Sequence, residues 1–125
     1  MKPKETIYQT FRHRNLRLTG SRTALIEQFA AASQPLSYDD IKAELAMDKA
    51  TFYRNMHTFE SAGLIRRIAS DEKRWYFELA TSAHAHFVCT LCHRIECLDV
   101  RVPELPGGYG VDTVIYKGRC PACNA

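Results

Sequence analysis

No stretch of this 125-residue chain approaches the roughly 18 consecutive apolar residues of a membrane-spanning helix, so no transmembrane segment is expected. The opening residues, Met1-Lys2-Pro3-Lys4-Glu5, are charged and lack the apolar run of a secretory signal, which points to the cytoplasm. There is no internal repeat, no low-complexity tract and no glycine-rich phosphate loop, and no acid/base pair accompanies the thiols, so an enzyme is not expected. What remains is ordinary globular composition: 46% hydrophobic, 25% charged, five prolines and six glycines. This length makes one domain or two very small ones.

Charge is unevenly placed. Residues 1–80 hold 13 Lys/Arg against 10 Asp/Glu, whereas residues 81–125 hold four of each. The whole excess of +3 therefore lies in the N-terminal part, where an acidic polymer would be met. A solvated surface of mixed sign is the plainer reading of that excess, and charge alone does not choose between the two.

Five cysteines are the strongest local signal. Cys89/Cys92 and Cys120/Cys123 are both Cys-x-x-Cys pairs, and two such pairs close a tetrahedral four-sulfur zinc site. From His84 onward the chain is too short to bury a good core alone, and a segment of that size needs a metal, disulfides or a partner subunit. In the cytoplasm metal is the expected fastener, and five cysteines cannot all pair within one chain. A redox pair is the competing reading, but such pairs open helices, and the first pair here lies between predicted strands.

Periodicity supplies the frame. A weak first helix is predicted near Lys4–Arg14. A second follows over Arg22–Ala32 with Ser21 as its cap, burying Leu25, Ile26, Phe29 and Ala30, and Pro35 ends it. Ser37 and Asp40 form a shortened capping box before a helix that buries Ile41 and Leu45. Asp48 caps the helix Lys49–Ala62, which Gly63 stops, and Phe52, Met56 and Phe59 form its apolar stripe. Arg54 projects from nearly the opposite side, flanked by Thr51, Tyr53, His57 and Thr58. Leu64–Ile68 and Arg74–Leu79 read as a hairpin. Three helices and then a hairpin is the order of a winged helix, and the helix before the hairpin is the one that enters a major groove. An amphipathic helix with a solvated polar face gives the same periodicity, so the order of elements carries this reading. His57 on that face can touch phosphate, while His13 is expected at the surface.

Beyond a hinge at about 79–83 the texture changes. Strands are predicted at His86–Cys89, Arg94–Val100 and Val111–Tyr116, with a loop through Pro103, Pro106 and Gly107-Gly108. His84 and His86 point to one side of an extended segment and offer imidazole nitrogens. With Glu78 and the fifth thiol, Cys97, they form a second candidate metal cluster. The alternative is surface histidines and a buried small hydrophobe at Cys97. His93, inside the first knuckle, is expected to be exposed rather than ligating.

These strings resemble the ferric uptake regulator family of bacterial metal-dependent repressors: Leu18-Thr19-x-x-Arg22, Leu36-Ser37-x-x-Asp40-Ile41, Ala50-Thr51-Phe52-Tyr53-Arg54, Phe77-Glu78-Leu79, and His84-x-His86-x-x-Cys89-x-x-Cys92 with Cys120-x-x-Cys123. The resemblance implies an α+β chain, with a winged-helix DNA-binding domain over 1–80 and a short α/β or mostly β dimerisation domain over 84–125. It implies a homodimer on a palindromic double-stranded operator. Tyr53 and Arg54 would contact bases, Thr51 the backbone and Arg17 the minor groove, with Arg22, Asn55 and His57 in the same candidate interface. Structural zinc falls on Cys89, Cys92, Cys120 and Cys123, and a regulatory divalent metal, Zn2+ or Fe2+, on Glu78, His84, His86 and Cys97. The chain departs from the family where Cys97 replaces a carboxylate, where Pro35 replaces a histidine, and where the loop Pro103–Gly110 replaces a helix. A thiolate softens the second site and favours zinc. A zinc-responsive regulator is thus the leading expectation, ahead of iron- or peroxide-responsive members. A zinc-ribbon RNA-binding or adaptor protein is the alternative from another class.

Overall fold

The computed structural model describes residues 9, 12, 16–69, 74–80, 85–111 and 113–125. Gln9 and Arg12 of the predicted first helix are described and helical. The rest of that helix, His13, His84 and the hinge residues 81–83 lie outside the described residues. The chain divides into two compact units, one built from Met1–Ala69 with Trp75–Thr81 and the other chiefly from Ser82–Ala125.

In the first unit, α1 spans Gly20–Ala31 and buries Leu25, Ile26, Phe29 and Ala30. Its cap is Thr19, not Ser21: Arg22 N donates to Thr19 Oγ1 at 3.2 Å, and Thr19 holds the extended backbone that a cap requires. Ser21 already lies inside the first turn. The capping box is present, with Asp40 N donating to Ser37 Oγ and Ser37 N donating to Asp40 Oδ2 at 2.8 Å. It opens a short helix, α2 (Tyr38–Ile41), which tightens into a 3-10 turn over Lys42–Glu44.

Helix α3 runs Lys49–Ser61, and Phe52, Met56 and Phe59 are its buried face. Gly63, at φ 76°, ends it in the left-handed conformation that a side chain would resist. Thr51 N donates to Asp48 Oδ1 at 2.8 Å across its first turn. Hydrogen bonds from the Thr51 side chain and amide, with the Arg54 charge, hold the Asp48 carboxyl below its ordinary value of 3.8. A depressed folded pKa means stability that is present above the unfolded value and lost as pH falls through the folded one. Asp48→Ala is therefore expected to lower the melting temperature at neutral pH, with the deficit closing in strong acid. Thermal melts followed by circular dichroism across that range check this, and a deficit independent of pH would contradict it.

Strands β1 (Ile65–Ala69) and β2 (Trp75–Leu79) form an antiparallel hairpin with Ile65 opposite Leu79 and Arg66 opposite Glu78. Leu36 adds an isolated bridge to it: Leu36 N donates to Phe77 O at 2.9 Å and Phe77 N donates to Leu36 O at 2.8 Å. Strand β2 does not bury one alternate face alone, because Tyr76 and Glu78 are buried along with Phe77 and Leu79. Trp75 is instead exposed, with the Arg67 guanidinium 4.3 Å above its ring. The core of this unit gathers Leu25, Ile26, Phe29, Phe52, Phe59 and Phe77 with their neighbours.

The second unit is a three-stranded sheet in the order β4-β3-β5, from β3 (Ala85–Cys89), β4 (Ile95–Leu98) and β5 (Val114–Gly118). Strands β3 and β4 are antiparallel, while β3 and β5 are parallel. Among the described residues the crossing from β4 to β5 contains no helix, and Gly107 and Gly108 both turn there with positive φ.

Candidate metal centres and nucleic-acid interface

Parallel pairing of β3 with β5 brings the C-terminal ends of the two strands together, with Cys89 opposite Gly118. Each strand then runs into a Cys-x-x-Cys turn at the same sheet edge. Thr90 N ties the turns by donating to Gly118 O at 2.7 Å. In the first turn Cys92 N donates to Cys89 Sγ at 3.4 Å and His93 N to Cys89 O at 3.0 Å. In the second, Cys123 N and Asn124 N both donate to Cys120 O. The four sulfurs lie within 4.8 Å of one another, with Cys92 Sγ 3.8 Å from Cys120 Sγ.

The donor set fits a tetrahedral Zn2+. The Cys120 and Cys92 amides directed at Cys89 Sγ hold its thiol down to about 5, so one ligand is readily a thiolate. Cys123, hydrogen-bonded among the sulfurs of Cys120, Cys89 and Cys92, is pushed up to about 12. Four sulfurs this close cannot all carry charge by themselves, and a divalent cation is the partner that lets them do so. His93 is half-buried rather than exposed, and the knuckle turns through its left-handed backbone at φ 64°.

Away from the knuckles, His86 and Cys97 are directly opposed on β3 and β4. A ring nitrogen of His86 and Cys97 Sγ lie within 4.8 Å, and His86 is fully buried. His86 Nδ1 shares a hydrogen bond with Thr113 Oγ1 at 3.0 Å, which fixes the plane of the buried ring. Nothing in the local sequence marks Thr113, since it lies 27 residues from His86. On β2, Glu78 is buried and its Oε2 stands 3.5 Å from Arg66 Nη1 in the first unit's hairpin.

The polar face of α3 carries exposed Arg54 and His57 and half-buried Thr51, Tyr53 and Asn55. Arg54 Nη2 donates to Thr51 Oγ1 at 3.1 Å, laying the guanidinium along the outside of the helix. The Tyr53 ring leans into the core, edge-on to Phe52 at 5.3 Å and 6.0 Å from Phe77, so it is anchored at its base. Arg17 is exposed just before α1. Arg22 and Asn55 are held together: Arg22 Nε donates to Asn55 Oδ1 at 3.0 Å, a pairing across 33 residues that local sequence does not announce.

Comparison with known proteins joins these features. The sequence profile described as "Ferric uptake regulator family" matches residues 13–104. The ferric uptake regulation protein of Neisseria meningitidis is 29% identical over 126 aligned positions, covering 88% of each chain. The ferric uptake regulator of Francisella tularensis, solved with iron, superposes with a TM-score of 0.68 at 25% identity, covering 88% of this chain and 96% of that one. The Helicobacter pylori regulator has the same fold, with a TM-score of 0.77 at 15% identity, covering 97% of this chain and 91% of that one. With its profile match, fold and cysteine cluster in agreement, the chain belongs to the ferric uptake regulator family of metal-responsive DNA-binding transcription regulators, which are not enzymes.

Proposed function

We propose that this protein is a repressor of metal-homeostasis genes that binds a palindromic operator as a homodimer when its regulatory metal is bound, and that the metal sensed is zinc. The observation that supports the choice of zinc is Cys97 opposed to buried His86 on neighbouring strands, where a thiolate and an imidazole form a soft donor pair. His84 and Glu78 complete the ligand set by resemblance to the family. In this reading Cys89, Cys92, Cys120 and Cys123 hold a structural zinc that fastens the sheet of the second unit. Arg54 and Tyr53 read bases in the major groove, Thr51 and His57 touch backbone, and Arg17 enters the minor groove.

A divalent cation held by these four proposed ligands is the regulatory signal in this reading. Its influence on DNA binding is then its differential affinity for the arrangement in which two recognition helices meet successive major grooves, about 34 Å apart. Metal analysis tests the assignment. Purified protein is expected to bind about two zinc ions per chain and Cys97→Ser about one, with the variant also losing zinc-dependent DNA binding. Equal zinc content in the two proteins would remove Cys97 from the sensor.

A further inference from the structure

On a DNA-reading helix, an asparagine and a nearby arginine are the expected readers of adenine and guanine or of phosphate. The first unit places Asn55 and Arg22 where they could do this and then occupies both of them. Asn55 Oδ1 accepts from Arg22 Nε at 3.0 Å, while Asn55 Nδ2 donates to Thr51 O at 3.1 Å. Adenine recognition by asparagine needs that oxygen and that nitrogen aimed together at one base edge, whereas here each is directed at a partner within the protein, which holds the amide in a positioning role. Arg22 Nη1 donates to the backbone oxygen of Arg17 at 2.9 Å, and the Arg22 Cζ lies 6.0 Å from the centre of the Phe59 ring. Arg22 is half-buried as a residue, and its guanidinium bridges the segment before α1 to α3.

We infer that Arg22 and Asn55 are positioning residues that touch no nucleotide: they form a clamp joining the segment that carries Arg17 to the recognition helix α3. One arginine holds the Arg17 backbone with one nitrogen and α3 with another. The clamp fixes the distance between the minor-groove and major-groove contacts, and with it the register in which both can be made. The geometry requires the guanidinium fork, because a lysine ammonium has no second nitrogen at that spacing. This inference rests on the proposed DNA-binding function, and it separates Arg22 and Asn55 from Arg17, Arg54, Thr51, Tyr53 and His57 as contacts.

The test is a salt titration by fluorescence polarisation. It uses a fluorescein-labelled duplex recovered by in vitro selection with zinc-loaded wild-type protein, beside a duplex of shuffled sequence. Arg22→Ala, Arg22→Lys and Asn55→Ala are each expected to weaken the selected duplex about tenfold, and the double variant no further, because one linkage is broken in every case. Affinity for the shuffled duplex and the salt slope are expected to stay at wild-type values, which general destabilisation would not leave untouched. If Arg22 instead bound phosphate, its removal would lower the slope by about 0.9 and lysine would keep most of the affinity; that result overturns the clamp. Losses that multiply in the double variant overturn it as well. In the free protein, the Arg22 Nε–H resonance is expected to move in Asn55→Ala, and a resonance that does not move is equally fatal. Wild-type protein that binds neither duplex would defeat the proposed function, and the resonance would then decide the clamp separately.

Discussion

Cys120→Ser is expected to release zinc from the four-cysteine site and to unfold the sheet of β3, β4 and β5 while leaving the helical unit folded. The physical reason is the small size of the second unit. Its strands are short, β5 is largely exposed along its length, and the crossing from β4 contains no described helix to cover a face. Apolar burial of that extent does not hold three strands, whereas zinc bound by four thiolates contributes about 10–16 kcal/mol in small zinc-binding peptides. Cys120 is the most telling ligand to change because it is buried and its amide also donates to Cys89 Sγ. Near-ultraviolet circular dichroism, with a colorimetric assay of released zinc, reads the result. A variant that keeps both its zinc and its tertiary signal would show that the four sulfurs do not act as one site.

Arg54→Ala is expected to abolish most sequence preference while sparing non-specific binding. Arg54 is exposed on α3 and oriented by its hydrogen bond to Thr51. A guanidinium presented to a guanine edge supplies about 1–3 kcal/mol of discrimination, or about tenfold to a hundredfold between selected and shuffled duplexes. Arg17→Ala is expected to differ in kind, weakening both duplexes because a contact of that sort mainly attaches the protein to the DNA. Competition binding of the two variants checks the distinction. Unchanged specificity in Arg54→Ala would mean that α3 is not the reading helix.

How much of this was legible in the sequence depends on the range of the interactions. The limits of α3 were visible because they are local: Asp48 caps three residues ahead, Gly63 stops the helix, and a three-residue apolar stripe fixes the buried face. The four-cysteine cluster was visible because Cys-x-x-Cys spacing is itself the signal. At α1 the local rule misled, since Thr19 and Ser21 are both good caps and only the backbone decides between them. Long-range pairings were invisible. The Leu36–Phe77 bridge, the parallel register of β3 with β5, and the Arg22–Asn55 bond each join residues whose neighbours in sequence carry no trace of the partner. Thr113 is the sharpest case: an unremarkable threonine after a glycine-containing loop, it orients a fully buried histidine. Exposed Trp75 broke the alternation expected of β2, because stacking against Arg67 lets an indole remain at the surface.

The central claim is that a metal bound at His86 and Cys97, with Glu78 and His84, governs DNA binding by this protein. Affinity for the selected duplex, measured by fluorescence polarisation with excess zinc, with iron(II) under anaerobic conditions, and with a chelator mild enough to leave the four-cysteine zinc in place, tests it most directly. The account predicts tight binding with zinc, weaker binding with iron(II), and a loss of at least about tenfold with chelator, the scale of an ordinary allosteric coupling. Equal affinity under all three conditions would contradict it.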